Sequence, residues 1–405
     1  MRAVIIGNGV TGITAARRLR RLSPDSQVTI LTREPHHYYY RPRLPDVVAG
    51  DLGVDDIVIN APEWYASRGI DVRLSTNVAS VDTAGRAVLL DDGSRVEYDR
   101  LLIASGADPF VPPIEGAGGE GVFTLRSADD AIAIGRWAAS ATSAIVIGGG
   151  LLGLETARGL AAHGLPVTVL EYADWLLPRQ LDEEGARILS VEIARRGIDV
   201  VTHARVAGIE GDGAVSGVSF EDGTVQAADL VVISTGVRPA MAFLEGSGIE
   251  VGRGIVVGPS MQTTVPDVYA AGDVAEFEGV VWGIIPIALK QAEVAARAIA
   301  GDGDASYSAA APNTTLKMAG VDVFSAGLVG CEGEDCVEHV RADAEACLYR
   351  KAVVRGGVLV GAAVIGSKMG VRELTEMIDR GARVEEWGDA IVAEGFDFGA
   401  ALAGG

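Results

Sequence analysis

The sequence predicts an α/β protein made of two nested units of one kind, with a smaller α+β unit behind them. Three observations carry that prediction. A glycine turn between a short apolar strand and an amphipathic helix occurs twice, at VIIGNGVTGITAARRLRR and at AIVIGGGLLGLETARGLAAHGLPVTVLE. The chain of 405 residues is long for one domain, and its 53 glycines, 48% apolar residues and 5% aromatics suit a protein rich in tight strand–helix turns. From Asn313 onward the pattern changes: CLYRKAVVR and GVLVGAAVIG alternate like the arms of a hairpin, and VRELTEMIDRGA follows as a short helix stopped at Gly381.

In the first unit the strand runs into Gly7, Gly9 and Gly12. Gly7 permits the tight turn, Gly9 lets the backbone approach a pyrophosphate, and Gly12 lets the helix pack on the strand. Val10 and Thr11 open the helix, whose free N–H groups and positive dipole end face the phosphates. The second strand, VTILTRE, ends at Glu34, about 20 residues past Gly12, where a carboxylate accepts ribose hydroxyls. The second unit repeats this with Gly148, Gly150 and Gly153, with Leu151 and Leu152 opening the helix and Glu171 closing the second strand. Two such Rossmann-like sites imply two dinucleotides, most simply FAD and a nicotinamide. Tyr172, Ala173 and Asp174 bring no cation for a 2′-phosphate and Glu171 repels one, so NADH is expected over NADPH.

A third string, TTVPDVYAAGDVAE, places Gly272 and Asp273 at a turn after a short apolar strand. It resembles the second FAD motif of the pyridine nucleotide-disulfide oxidoreductase superfamily, and LLIASGADPF and VVISTGVRP resemble that family's two crossover strands. The resemblance covers about residues 1–330. It implies a discontinuous FAD-binding domain (1–112 and 239–312), an inserted NAD-binding domain (113–238) and a C-terminal α+β interface domain (313–405), the last compatible with a homodimer. By the same resemblance Asp273 binds the ribityl chain, Ala104, Ser105 and Gly106 lie at the FAD crossover, and Thr235 and Gly236 lie at the NAD crossover. Arg126 in TLRSADD matches an arginine close to the isoalloxazine, with Arg41 at a basic position beside it. Ile285 and Pro286 open the helix PIALKQAEVAARAIAG, whose positive end stabilises negative charge at the flavin pyrimidine edge.

The stretch YYRPRLPDVVAG lies where disulfide-reducing relatives carry a redox-active cysteine, and it has none. EPHHYYYRPRL, VFTLRSADDA, LPRQLDEE, GIIPIALKQAEVAA and TLKMAGVDVFSAG resemble NADH:rubredoxin reductases and the N-terminal reductase module of assimilatory nitrite reductases. Nothing in the chain is suited to ligate the siroheme of a whole nitrite reductase. YxRP also resembles oxygenase-coupled ferredoxin reductases, which pair a nearby lysine with a glutamate of the NAD motif. Glu155 matches the glutamate, but Asp46 stands at about the lysine position, so the pair is absent or built differently. Thr314–Lys317 occupies a region where those enzymes commonly place a tryptophan. Both departures favour the rubredoxin-reductase likeness. NADH peroxidases use a histidine where Val10 stands, while His36 and His37 read as solvated residues near the FAD ribose.

Cys331 and Cys336 have a C-x4-C spacing far from every flavin motif, among acids (Glu332, Glu334, Asp335) that raise thiol pKa. With His339 and Cys347 their spacing is irregular for zinc, so no metal is expected, and structural thiols in a reducing compartment are the reading. Met1 leads straight into a strand and no apolar run reaches the ~18 residues of a membrane span, so the cytoplasm is the expected location. A net charge of −21 argues against nucleic acid, yet residues 1–100 balance 13 basic against 13 acidic side chains. An acidic redox partner is therefore expected at a basic patch that includes Arg41 and Arg43. The reading is an FAD-dependent NADH dehydrogenase feeding a small rubredoxin- or ferredoxin-like protein without a cysteine relay. A cysteine-independent NADH oxidase that reduces oxygen and an NADH-sensing flavoprotein of low turnover are the alternatives.

Overall fold

The computed structural model describes residues 1–308, 313–318, 320–368 and 370–404. The domain boundary expected at residue 312 and the Ala319 of TLKMAGVDVFSAG lie outside these, as do the side chains of Thr314–Lys317.

The first sheet is parallel, in the order Val268–Ala270, Arg100–Ile103, Arg2–Ile6, Gln27–Leu31, Ile70–Arg73. Its central strands are near-continuous apolar runs because both faces are covered, as in Val4, Ile5, Leu101, Leu102 and Ile103. The register sets Ile6 beside Leu31 and Ile103, and Ile103 beside Ala270. Four strands therefore end at one level, and Gly7, Thr32, Ala104 and Ala271 emerge together at the carboxyl edge. The helix Val10–Leu22 lies on this sheet through Ile13, Ala15, Ala16 and Leu19, and packs beside the helix Ile285–Ile299.

The second sheet repeats the first, in the order Val122–Phe123, Leu230–Ile233, Ala144–Ile147, Val167–Leu170, Ile198–Val201. Ile147 aligns with Leu170 and Ile233, so Gly148, Glu171 and Ser234 share an edge. Each unit also carries a three-stranded antiparallel meander, Val78–Glu97 in one and Val206–Ala227 in the other. The glycine turns announce the duplication; the meanders have no such signature. Antiparallel pairing of Ala107–Pro109 with Val237–Pro239 joins the two units.

The C-terminal unit is a five-stranded antiparallel sheet, Asn313–Met318, Val321–Gly327, Val358–Ile365, Leu348–Arg355, Cys336–Asp343. The expected hairpin is Leu348–Arg355 with Val358–Ile365, turning at Gly356 and Gly357, both at positive φ (56° and 81°). Its burial does not alternate, because both faces are covered. Tyr349, Ala363 and Ile365 join the core of the second unit, while Ala352, Val354 and Val364 pack with Leu374 and Met377 of the helix Val371–Arg380. That helix stops, as expected, at Gly381 in a left-handed conformation (φ 63°). Lys351 pins this sheet to the second unit, its Nζ lying 2.7 Å from Asp182 and 2.8 Å from Glu338.

Two expectations about cysteine are corrected. Cys331 and Cys336 are joined in a disulfide, with Cα atoms 6.0 Å apart, rather than standing as separate thiols. The turn between them is short enough to bring the sulfurs together, which the acidic composition did not suggest. Cys347 lies in the turn before Leu348–Arg355 at φ 51°, not in the strand, and burial pushes its thiol pKa up. No cluster of metal-ligating side chains occurs among the described residues, and His339 faces Asp389 at 2.7 Å. Among them no helix is long and apolar enough to cross a membrane.

Candidate nucleotide sites and the junction between them

At the first carboxyl edge the backbone is too close for side chains. A Cβ on Gly7 (φ 110°) would fall on the Ala104 carbonyl, one on Gly12 on the Gly7 carbonyl, and one on Gly272 on the Thr11 hydroxyl. Above Gly9, by contrast, the nearest neighbour of such an atom is the Arg41 guanidinium at 3.1 Å. The helix starting at Val10 has no side-chain cap and no acid in its first turn, leaving its N–H groups for an anion. Beside it a cleft is lined by Asn8, Thr32, Glu34, His36 and Arg41. Asn8 Nδ2 and Arg41 Nε are buried there without a hydrogen-bond partner. Glu34 accepts from the Tyr39 hydroxyl and from Arg41, and Tyr39 Oη accepts from the Ala128 N–H at 3.1 Å. Burial pushes the Tyr39 phenol well above its ordinary range, keeping it a donor to Glu34.

A second group lies further along the same edge. Arg126 Nη2 donates to Asp273 Oδ2 at 3.2 Å and sits 3.2 Å from the place of a Cβ on Gly106. Ser105 donates to the Ala240 carbonyl at 2.9 Å, locking the two crossover strands. The Gly272 N–H donates to Gln291 Oε1 at 2.8 Å, and Gln291, 1% exposed, lies in the helix Ile285–Ile299. That helix has Pro286 in its first turn and neither a side-chain cap nor an acid there. Glu34, Arg41, the glycine turn, the crossover, Arg126, Gly272–Asp273 and the Ile285–Pro286 helix start thus form one connected edge. Arg41 is the exception to its expected neighbourhood. Its partners are Glu34, Tyr39 and Gly9, and among the described residues no hydrogen bond or ion pair joins it to Arg126 or Asp273. The orphaned donors, the uncapped helix and the room over Gly9 fit an FAD.

The second edge is built alike. Gly148 (φ 116°) lies against the Ser234 carbonyl beside Thr235, Gly153 lies against the Gly148 carbonyl, and Gly150 and Gly236 face open space. The helix Leu151–Ala161 starts without a side-chain cap or an acid in its first turn. Both Glu171 oxygens are anchored, accepting from the Gly149 N–H and the Ala173 N–H at 2.7 Å each. A carboxylate held this way keeps free lone pairs for ribose hydroxyls. Tyr172, Ala173 and Asp174 bring no cation themselves, but Arg205, just ahead of the meander, lies over the Tyr172 ring with its guanidinium carbon 3.7 Å from the centroid.

Glu155 points instead to the junction of the units. Arg158 Nε lies 3.1 Å from Glu155 Oε2, Arg158 Nη2 lies 2.6 Å from Asp46 Oδ1, and Arg43 also pairs with Asp46. The ion pair expected from ferredoxin reductases is therefore built differently, with an arginine on the nucleotide helix bridging two acids. Burial works against the Asp46 carboxylate, but hydrogen bonds from Arg43 and Arg158 hold its pKa below the ordinary range. Arg158, Gln291 and Arg205 escaped sequence reasoning. Gln291, a lone amide on an apolar helix face, was the only one with a visible signal.

Two parallel sheets of matched order, each with a glycine turn and a strand-end acid, define an α/β oxidoreductase of the dinucleotide-binding kind. The chain belongs to the pyridine nucleotide-disulphide oxidoreductase family, whose profile matches residues 1–300; the profile of the rubredoxin NAD+ reductase C-terminal domain matches residues 312–382. Its cofactors are FAD and NADH. It is 37% identical over 384 residues to a nitrite reductase [NAD(P)H] of Bacillus subtilis (strain 168), covering 95% of this chain and 48% of that protein. The chain thus spans about half the length of such relatives. It is 32% identical to the NADH-rubredoxin oxidoreductase of Clostridium acetobutylicum, over 90% of this chain and 92% of that one. Among solved structures it resembles the reductase of a covalent putidaredoxin reductase–putidaredoxin complex, with a TM-score of 0.89, 25% identity and coverage of 100% and 98%.

Proposed function

We propose that this chain is an FAD-dependent NADH dehydrogenase that passes electrons directly to a small rubredoxin- or ferredoxin-like protein. One observation carries this reading: all three cysteines, Cys331, Cys336 and Cys347, lie in the C-terminal unit, and none accompanies the glycine turns, the crossovers or YYRPRLPDVVAG. The relatives named for rubredoxin and putidaredoxin supply the partner class. We take residues 1–112 with 239–312 as the FAD unit, 113–238 as the NAD unit and 313–405 as the interface unit.

Bound FAD supplies a two-electron acceptor for hydride and a donor of single electrons. The chain itself supplies position and field. The glycine turns and uncapped helix starts hold the phosphates, Glu34 and Glu171 the riboses, and Asp273, steadied by Arg126 and Gln291, the ribityl chain. The positive end of the helix Ile285–Ile299 stabilises the negative charge that builds up on reduction. The network Glu155–Arg158–Asp46 fixes the nucleotide helix against the segment Leu44–Val48, orienting the nicotinamide face.

A relative named NADH oxidase, from Methanocaldococcus jannaschii and 34% identical over 81% of this chain, supports oxygen reduction as a second reading. Steady-state turnover of NADH with oxidised rubredoxin, a [2Fe–2S] ferredoxin or air as sole acceptor tests both. The first reading predicts a rate with one iron protein at least tenfold above the rate in air. Equal rates in all three would favour the oxidase, and reduced flavin that persists with every acceptor would favour a sensor.

A further inference from the structure

We propose that Arg205 is a latent 2′-phosphate contact of the nicotinamide site, so that Glu171 alone keeps NADPH out. The inference rests on the reading of residues 148–171 as that site. Tyr172 directly follows Glu171, the acid read as the partner of the adenosine ribose hydroxyls, and is 68% exposed. Arg205 covers its ring at 3.7 Å. The contact is not a loose surface pairing. The Ala204 N–H donates to the Glu171 carbonyl at 2.9 Å and the His203 N–H to the Ala173 carbonyl at 3.1 Å, so the connecting segment that carries Arg205 is stitched to the residues flanking Tyr172.

Arg205 also has unspent capacity. Its Nη1 is buried without a hydrogen-bond partner, and it joins no ion pair among the described residues. The stack holds the guanidinium plane still while leaving its edge donors for an anion, an arrangement suited to phosphate. Glu171 stands in the way. Its carboxylate is held by Gly149 and Ala173 and cannot swing aside without losing both bonds. A 2′-phosphate would meet its negative charge at short range, and the attraction of Arg205 would be spent offsetting that repulsion. Arg205 therefore decides what the site becomes once the charge at 171 is removed.

The adenosine half can be tested without turnover. Titration calorimetry on the FAD-loaded protein would compare 5′-AMP with 2′,5′-ADP for wild type, Glu171→Gln, Glu171→Gln/Arg205→Ala and Glu171→Gln/Arg205→Lys. Glu171→Gln should tighten 2′,5′-ADP at least ~10-fold relative to 5′-AMP, a gain that shrinks with added salt. The Ala double variant should lose that gain, and the Lys double variant should keep part of it. Equal 2′,5′-ADP affinity in Glu171→Gln and its Ala double variant would overturn the role of Arg205, as would no gain in Glu171→Gln. Wild type that binds neither 5′-AMP nor NADH would instead defeat the nucleotide-site reading beneath it.

Discussion

Asp46 takes two arginines at once, Arg43 from its own segment and Arg158 from the nucleotide helix, and Arg158 carries the contact on to Glu155. Removing the acid leaves Arg158, more than two-thirds buried, with a single partner. Asp46→Asn should therefore cost about 1–3 kcal/mol of stability by denaturant titration. It should also slow flavin reduction by NADH in stopped flow while leaving FAD content unchanged. The pH dependence follows from the direction of the shift. The folded pKa of Asp46 is depressed, so its stabilisation is complete above the unfolded value of about 3.9 and is lost as pH falls through the lower folded value. Asp182, held down against burial by Lys351 and Tyr349, acts in the same window. Stability should fall less steeply on acidification in Asp46→Asn than in wild type. An unchanged acid limb would assign the loss to other carboxylates.

At the scale of elements, register does most of the work: strands ending level bring residues from four parts of the chain to one edge. The glycines make this possible by close approach, and the two turns are separable by substitution. Gly12→Ala puts a methyl on the Gly7 carbonyl and should yield protein with little bound FAD; Gly153→Ala puts one on the Gly148 carbonyl and should keep FAD but raise the KM for NADH at least ~10-fold. Flavin content by absorbance and NADH kinetics check this, and FAD loss in both variants would contradict the division of roles. These elements were legible because their chemistry is local: Gly7, Gly9 and Gly12, or Glu171 at a strand end, are dictated by neighbours a few residues away. Arg158, Gln291 and Arg205 were not, because their partners are Asp46, Gly272 and Tyr172, reached only through packing. The hairpin at Gly356–Gly357 was legible as a turn, but not its two covered faces, since a second covering layer leaves no period in the sequence. The disulfide was missed for a related reason, as acidity said nothing about how tightly the turn closes.

For the whole molecule, a charge of −21 sets the encounter with an acidic partner. The structure tempers the expected basic patch, because Arg41 is engaged by Glu34 and Arg43 by Asp46. Arg43 keeps about half of its side chain exposed (51%), so it still contributes to the local field. Arg43→Gln, which leaves Asp46 its Arg158 partner, should slow reduction of an acidic iron–sulfur acceptor about threefold at low salt, with the difference narrowing as salt is added, while a neutral dye is reduced as by wild type. Equal loss with the dye would place the effect at Asp46 and the site rather than at docking.

Whether electrons leave the flavin without passing through sulfur is decided by a variant with Cys331, Cys336 and Cys347 all replaced by serine. Loss of the short disulfide loop should lower its stability by about 2 kcal/mol, which leaves room for a folded, FAD-loaded protein. This protein, reduced anaerobically with one equivalent of NADH, is mixed with oxidised rubredoxin in a stopped-flow spectrometer, with wild type alongside. The variant should reoxidise its flavin and reduce rubredoxin within about twofold of the wild-type rate. A folded variant that accepts hydride yet holds its electrons, where wild type releases them, would contradict it.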